Sequence, residues 1–159
     1  IAYATTQQLR ARGIKARLII CGCNPAGLDP EIVKIIPAID KNKPNGYQKL
    51  FSLYQSADIF LLPTRAECAG VVFSEAAACG LPIVSTATGG VTSMVQHEGN
   101  GVLLPMSASA AEYTDTIIRL TQVQDQLSSM SAISLQLAKT SLSWQAFTNS
   151  LGDIIKSLK

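Results

Sequence analysis

The chain is poor in the residues from which metal centres, redox pairs and charged binding surfaces are made. There is one histidine, His97, which cannot complete a zinc set by itself, and there are four cysteines, none of them in a paired CxxC spacing. Cys21, Cys23, Cys68 and Cys79 are expected to be buried free thiols in a reducing compartment. Charged residues make up only 15% of the sequence and the net charge is +2, with no arginine-rich or aromatic-interleaved patch, which argues against nucleic acid as a partner. No apolar run approaches the roughly 20 residues of a membrane span, and no basic-then-apolar leader opens the chain. An initiating methionine is also lacking. The first residues read as the middle of a helix, so the chain is expected to be a fragment of a longer protein.

What the sequence does hold is apolar residues, 47% of 159, enough for one substantial core but not for a second complete domain. Residues 1–12 are helical in pattern and stop at Gly13. Residues 16–21 form a run apolar on both faces, the signature of a parallel strand covered by helices on each side. A Gly/Pro/Asn-rich loop over 22–30 follows, then a second strand within 31–39, a helix over 47–56, and a third strand over 58–62 ended by Pro63. A helix over 72–79 stops at Gly80, with Pro82 opening a fourth strand over 82–85. Gly89-Gly90 marks a turn, and 101–104 is a fifth strand. From Ser109 the pattern is helical, with a break at 140–143 and a last amphipathic helix over 144–158 in which Trp144 is expected to anchor on the core. No internal repeat or flexible linker interrupts this order.

Alternation of helices with strands apolar on both faces predicts an α/β fold with an open, doubly wound, Rossmann-like parallel sheet. In such sheets ligands bind beyond the carboxyl ends of the strands. Glu67, Gly70, Glu75, Gly89 and Gly90 all follow such ends, and are expected to line one crevice. Glu75 is the only formal charge between Cys68 and His97. A carboxylate in so apolar a stretch needs hydrogen-bonding partners, and neighbouring hydroxyls of a ribose would serve. Gly70 would let a ligand approach the backbone, while the amides of Val71 and Val72 would face an anion from a helix start. Ala76-Ala77-Ala78 would let that helix lie close to the sheet. The plainer readings are a Glu75 that only complements a helix dipole and a Glu67 that is a solvated loop charge beside Arg65. Gly80 reads as a helix cap and His97 as a turn residue.

Glu67, seven intervening residues, Glu75-Ala76, then Cys79-Gly80-Leu81-Pro82 and the later Gly89-Gly90 resemble the EX7E signature of retaining GT-B glycosyltransferases, the large family four of glycogen-synthase-like enzymes. Leu53-Tyr54-Gln55-Ser56-Ala57-Asp58, the Gly99-Asn100-Gly101 segment through Pro105, and Ser143-Trp144 extend the likeness over nearly the whole chain. The resemblance implies that residues 1–159 are the C-terminal, nucleotide-sugar-binding half of a two-domain fold. An N-terminal acceptor-binding domain and the first strand of this domain would lie upstream.

It further implies Glu75 on the ribose, Glu67 near the transferred sugar as the catalytic-centre glutamate, and the backbone of Ala69, Gly70, Val71 and Val72 facing sugar and diphosphate. Gly89 and Gly90 would lie across the same pocket. The implied activity is transfer of a glycosyl group from a nucleoside diphosphate sugar with retention, without cofactor or metal. The implied setting is cytoplasmic, with peripheral attachment of the intact enzyme to the inner membrane face left open. Two departures stand out: Cys68-Ala69-Gly70 replaces the common Gly-Phe-Gly, and the family's usual Arg and Lys clamp would precede Ile1. Alternatives are a nucleotide-sugar epimerase or phosphorylase of the same fold, or a non-catalytic, receiver-like ligand-binding domain.

Overall fold

Glycines close the helices where the sequence places its breaks. In the computed structural model, which describes residues 1–68 and 70–158, α1 (Ala2–Ala11) ends before Gly13 at φ +84°, and Gly80, at φ +73°, follows α3 (Val71–Ala78). Between them lie β1 (Leu18–Cys21), β2 (Val33–Ile36), α2 (Gly46–Gln55) and β3 (Phe60–Leu62). The remainder runs β4 (Ile83–Thr86), α4 (Val91–Met94), β5 (Gly101–Leu104), α5 (Ala110–Gln122), α6 (Gln126–Thr140) and α7 (Trp144–Ser157). Two features were not legible in the pattern. The single turn of α4 follows the double glycine, and the long helical stretch after Ser109 divides at Asp125, which takes a left-handed conformation at φ +60°.

Every strand pairing is parallel, as expected of an α/β fold. The strands form two ladders, β1 with β2 and β3-β4-β5, with Leu18 opposite Val33 and Val84 flanked by Leu61 and Val102. Side chains of the larger ladder alternate between two cores. Val84, Val102 and Leu104 pack with Leu9, Tyr113, Ile117, Leu120 and Met130 on one face, under α1, α5 and α6. Ile83 packs with Phe73, Ala76, Leu81, Val91 and Val95 on the other, with Phe60, Leu62 and Leu103 alongside. The result is helix, sheet and helix in three layers, the arrangement that buries a sheet apolar on both faces.

Three expectations are corrected here. β1 is only half-buried and its last residue is exposed, whereas all four residues of β4 are buried; β1 has one ladder neighbour and belongs to neither core. The cysteines are free but not buried: Cys21, Cys23 and Cys68 are exposed and Cys79 is half-buried, because they sit at strand and helix ends rather than within the layers. Trp144 does not anchor on the core. It is 81% exposed, its ring edge-on to Phe147, and no residue of α7 is buried.

Two polar links fix α5, one at its exposed start and one inside the first core. Ser109 caps α5 reciprocally with Glu112, and the Tyr113 hydroxyl lies 2.7 Å from Thr86 Oγ1 in a fully buried hydrogen bond tying α5 to β4. Tyr113→Phe strands the threonine hydroxyl, and is expected to lower unfolding free energy by about 1–2 kcal/mol. Urea denaturation with an unchanged m-value is the check, and an unchanged midpoint would contradict the role given to this bond.

Candidate functional site

Gly70 is the N-cap of α3, with extended backbone (φ −65°, ψ 99°), and is buried. A methyl group in place of its hydrogen would lie 2.8 Å from the Phe73 ring and 3.0 Å from the carboxyl carbon of Glu67. The space above Gly70 is thus filled by the protein's own side chains, a correction to the expectation of an open approach for ligand. Gly89 makes a similar contact from the other side. At φ +48°, its own added Cβ would stand 2.0 Å from the Glu67 carbonyl oxygen, to which the Gly90 amide donates at 3.1 Å. The loop after β3 and the loop after β4 are therefore sewn together on Glu67, at the carboxyl ends of adjacent strands. Gly90 spends its amide on that seam rather than directing it outward.

The first helical residues, Val71 and Val72, have no intrahelical acceptor for their amides, and the first turn of α3 carries no acidic residue. The positive end of this helix is not neutralised from within, and Val71 is exposed there. Ala69 lies outside the described residues.

Glu75, the fifth residue of α3, lies beyond the reach of a first-turn dipole partner, and the protein satisfies it directly. The Lys41 ammonium donates to Oε1 and the Tyr54 hydroxyl donates to Oε2 at 3.0 Å. Side-chain exposure is 22% for Glu75 and 37% for Lys41, so the pair is sheltered yet reachable. Burial, reinforced by the Glu75 charge, pushes the Tyr54 phenol upward, and the same two causes raise the Cys79 thiol. Tyr54 accordingly remains a neutral donor. Its ring lies 5.9 Å from Phe60, which meets Phe73 edge-on at 5.7 Å. That aromatic file braces the partner of Glu75 at one end and the floor under Gly70 at the other. Ala76 and Ala77 are fully buried, Ala76 in the core with Ile83 of the sheet, although Ala78 is exposed.

The sequence reading thus named both glutamates, and the structure seats Glu67 against Gly70, Gly89 and Gly90. Lys41 and Tyr54 were missed as site residues. Tyr54 falls within the segment that carried part of the resemblance, and its spacing gave no indication that it reaches Glu75. Lys41 belongs to the Asp40-Lys41-Asn42-Lys43 loop, which has no period to read. Two concavities lie elsewhere. A groove of about 830 Å³ between β2 and α2 includes Ile36, Asp40, Lys43 and Lys49, and a smaller one of about 310 Å³ at the amino end of β4 includes Asp58, Pro82 and Ser131. Neither is lined by Glu67, Gly70 or Glu75, whose crevice is an open wall.

Comparison with known proteins shows the family and the fold. Residues 2–122 match the family described as glycosyl transferases group 1. A D-inositol 3-phosphate glycosyltransferase of Saccharomonospora viridis is 29% identical over 130 residues, covering 82% of this chain and 28% of that protein. The corresponding protein of Corynebacterium urealyticum is 30% identical over 152 residues, 89% of this chain and 35% of its own. The chain therefore spans about a third of the length of these relatives. Among solved structures, sucrose-phosphate synthase from Thermosynechococcus elongatus superposes with a TM-score of 0.75 at 20% identity, covering 98% of this chain and 42% of that one. At such identity the likeness is one of fold.

Proposed function

The chain belongs to the glycosyl transferases group 1 family, and from that premise we propose that it forms the donor-binding wall of an enzyme that transfers a glycosyl group from a nucleoside diphosphate sugar with retention at the anomeric carbon. The carrying observation is the seam at Glu67. Two strand-end loops are fixed to each other at the start of α3, and Glu75 stands about 6 Å further along the same helix, at 1.5 Å per residue. One rigid helix then serves three parts of one ligand. Its amide end takes the diphosphate, Glu75 accepts hydrogen bonds from the ribose hydroxyls, and Glu67 addresses the sugar.

In this reading the leaving diphosphate gathers negative charge in the transition state. The amides of Val71 and Val72 oppose that charge without reorganising, since α3 is held by the packing of Ala76 and Ala77. Glu67 orients the sugar, its main chain fixed by Gly90. The acceptor belongs to an N-terminal domain, and the Arg and Lys clamp to the loop after this domain's own first strand, upstream of Ile1. The division of the sheet supports the same arrangement. In the doubly wound order 3-2-1-4-5-6 the first strand stands between the second and the fourth. Here β2-β1 and β3-β4-β5 are the outer parts of that order, and a strand from upstream would join β1 to β3.

Glu75→Ala is expected to weaken nucleotide binding by roughly tenfold to a hundredfold, from the loss of charge-assisted hydrogen bonds of about 1.5–3 kcal/mol. Calorimetric titration of the chain and its variant with UDP, GDP and ADP is the test. Equal affinities of the two proteins for every nucleotide that binds would remove the ribose role.

A further inference from the structure

The loop that delivers Lys41 is held firmly. Asp40 accepts the Asn42 amide on its side chain and the Lys43 amide on its carbonyl, and Gly46 at the start of α2 packs so closely that an added Cβ would lie 2.1 Å from the Asp40 carbonyl oxygen and 3.1 Å from Lys41 Cα. The backbone at position 41 is therefore fixed, and only the side chain is free to move. That side chain follows β2 but ends on α3, so the ion pair crosses from the smaller ladder to the larger. It presents an apparent obstacle to the donor reading. Both oxygens of Glu75 are already engaged, one by Tyr54 and one by Lys41, and a carboxylate neutralised by an ammonium is a poorer acceptor for ribose hydroxyls.

A nucleoside diphosphate brings the means of removing the obstacle. Its phosphates, placed at the amide end of α3, lie about 6 Å from Glu75 by helix rise, within the arc of a four-carbon lysine stem. Resting on the donor-site reading of Glu75, we propose that Lys41 is an exchanging cation. It neutralises Glu75 in the empty protein and passes to the diphosphate when the donor binds, freeing Oε1 for the ribose. The exchange keeps the ammonium paired throughout, so its desolvation is compensated in both states. It also makes selection depend on the phosphates: a nucleoside alone must break the pair and has nothing to offer the lysine, whereas a nucleoside diphosphate replaces one anion by another.

The test compares each nucleoside with its diphosphate. The chain, Lys41→Met and Lys41→Arg are titrated by NMR with uridine and UDP, guanosine and GDP, and adenosine and ADP, and the pair that the unaltered chain binds is used. Lys41→Met is expected to weaken the diphosphate about tenfold while tightening the bare nucleoside a few fold, and Lys41→Arg to restore the diphosphate. Both ligands weakening together would make Lys41 only a support for Glu75. Both tightening together would make it only a competitor. Either result, or no change, overturns the exchange while leaving Glu75 as the ribose ligand. Failure of the unaltered chain to bind any diphosphate would overturn the donor reading itself. Lys41→Gln serves as the second uncharged variant if Lys41→Met does not fold.

Discussion

Glu67→Gln in the intact enzyme is expected to lower kcat/KM by on the order of a hundredfold while changing the affinity for the nucleoside diphosphate less than about threefold. The argument is geometric. The Glu67 carboxyl carbon lies 3.0 Å from the position a Gly70 side chain would occupy, before the first turn of α3, while the group proposed for the ribose is a helical turn further on. A substitution that keeps the shape and hydrogen-bonding length of the side chain leaves the seam with Gly89 and Gly90 intact, because that seam uses the main-chain oxygen. What is lost is the negative charge that the proposed function sets against the sugar. Transfer assays with saturating acceptor, alongside calorimetry of the bare nucleoside diphosphate, separate the two effects. An unchanged kcat/KM would remove Glu67 from the reacting centre, and an equal loss in both measurements would make it a binding residue.

The second large effect concerns the other side of that seam. Gly89→Ala is expected to destabilise the fold by about 3 kcal/mol, a fall in melting temperature of roughly 6–12 °C. Two causes act together. The backbone at φ +48° is left-handed, and the new Cβ would sit 2.0 Å from the Glu67 carbonyl oxygen, a main-chain atom that cannot swing aside as a side chain would. Gly152→Ala is the matched control. It lies within α7 with nothing within 4 Å of the added atom, so the change should stabilise by about 0.5–1 kcal/mol through helix propensity. Thermal melts of the three proteins decide the matter. Equal behaviour of the two variants would mean that the β3–α3 and β4–α4 loops yield to one another, and that the site is softer than its contacts suggest.

Much of this architecture was legible because it is punctuated by residues with few conformational options. Gly13 and Gly80 mark helix ends, Pro82 opens β4, and Ala76-Ala77 marks a close approach to the sheet; each reports a local steric requirement that one residue type meets. Glu75 was legible for a similar reason, since a carboxylate in an apolar stretch must find partners, whereas Glu67 was singled out by its place after a strand end and by the spacing of the two glutamates. What those partners are was not legible. Tyr54 and Lys41 reach Glu75 across 21 and 34 residues of sequence, and no local pattern encodes such a meeting. Nor could periodicity foresee that Trp144 stays exposed. An amphipathic pattern says which side of a helix is apolar but not whether anything lies against it. The break at Asp125 escaped because an aspartate, rather than a glycine, adopts the left-handed turn there.

The parting of the sheet into two ladders has a mechanical meaning for the crevice. β4 is gripped on both edges and both faces, while β1 and β2 have only each other along their edges. Local opening is easiest where buried contacts are fewest, so among the described residues the smaller ladder is the softer body and the larger one the anvil, a difference that the strand proposed to stand between β1 and β3 would reduce. Glu67 and Glu75 are mounted on the anvil, and Lys41 reaches it from the loop that joins β2 to α2. Whatever occupies the space between them acts as mortar. A ligand that took hold of both sides would stiffen the weaker half, and in the proposed reading the rigidity of this domain becomes something the donor helps to set.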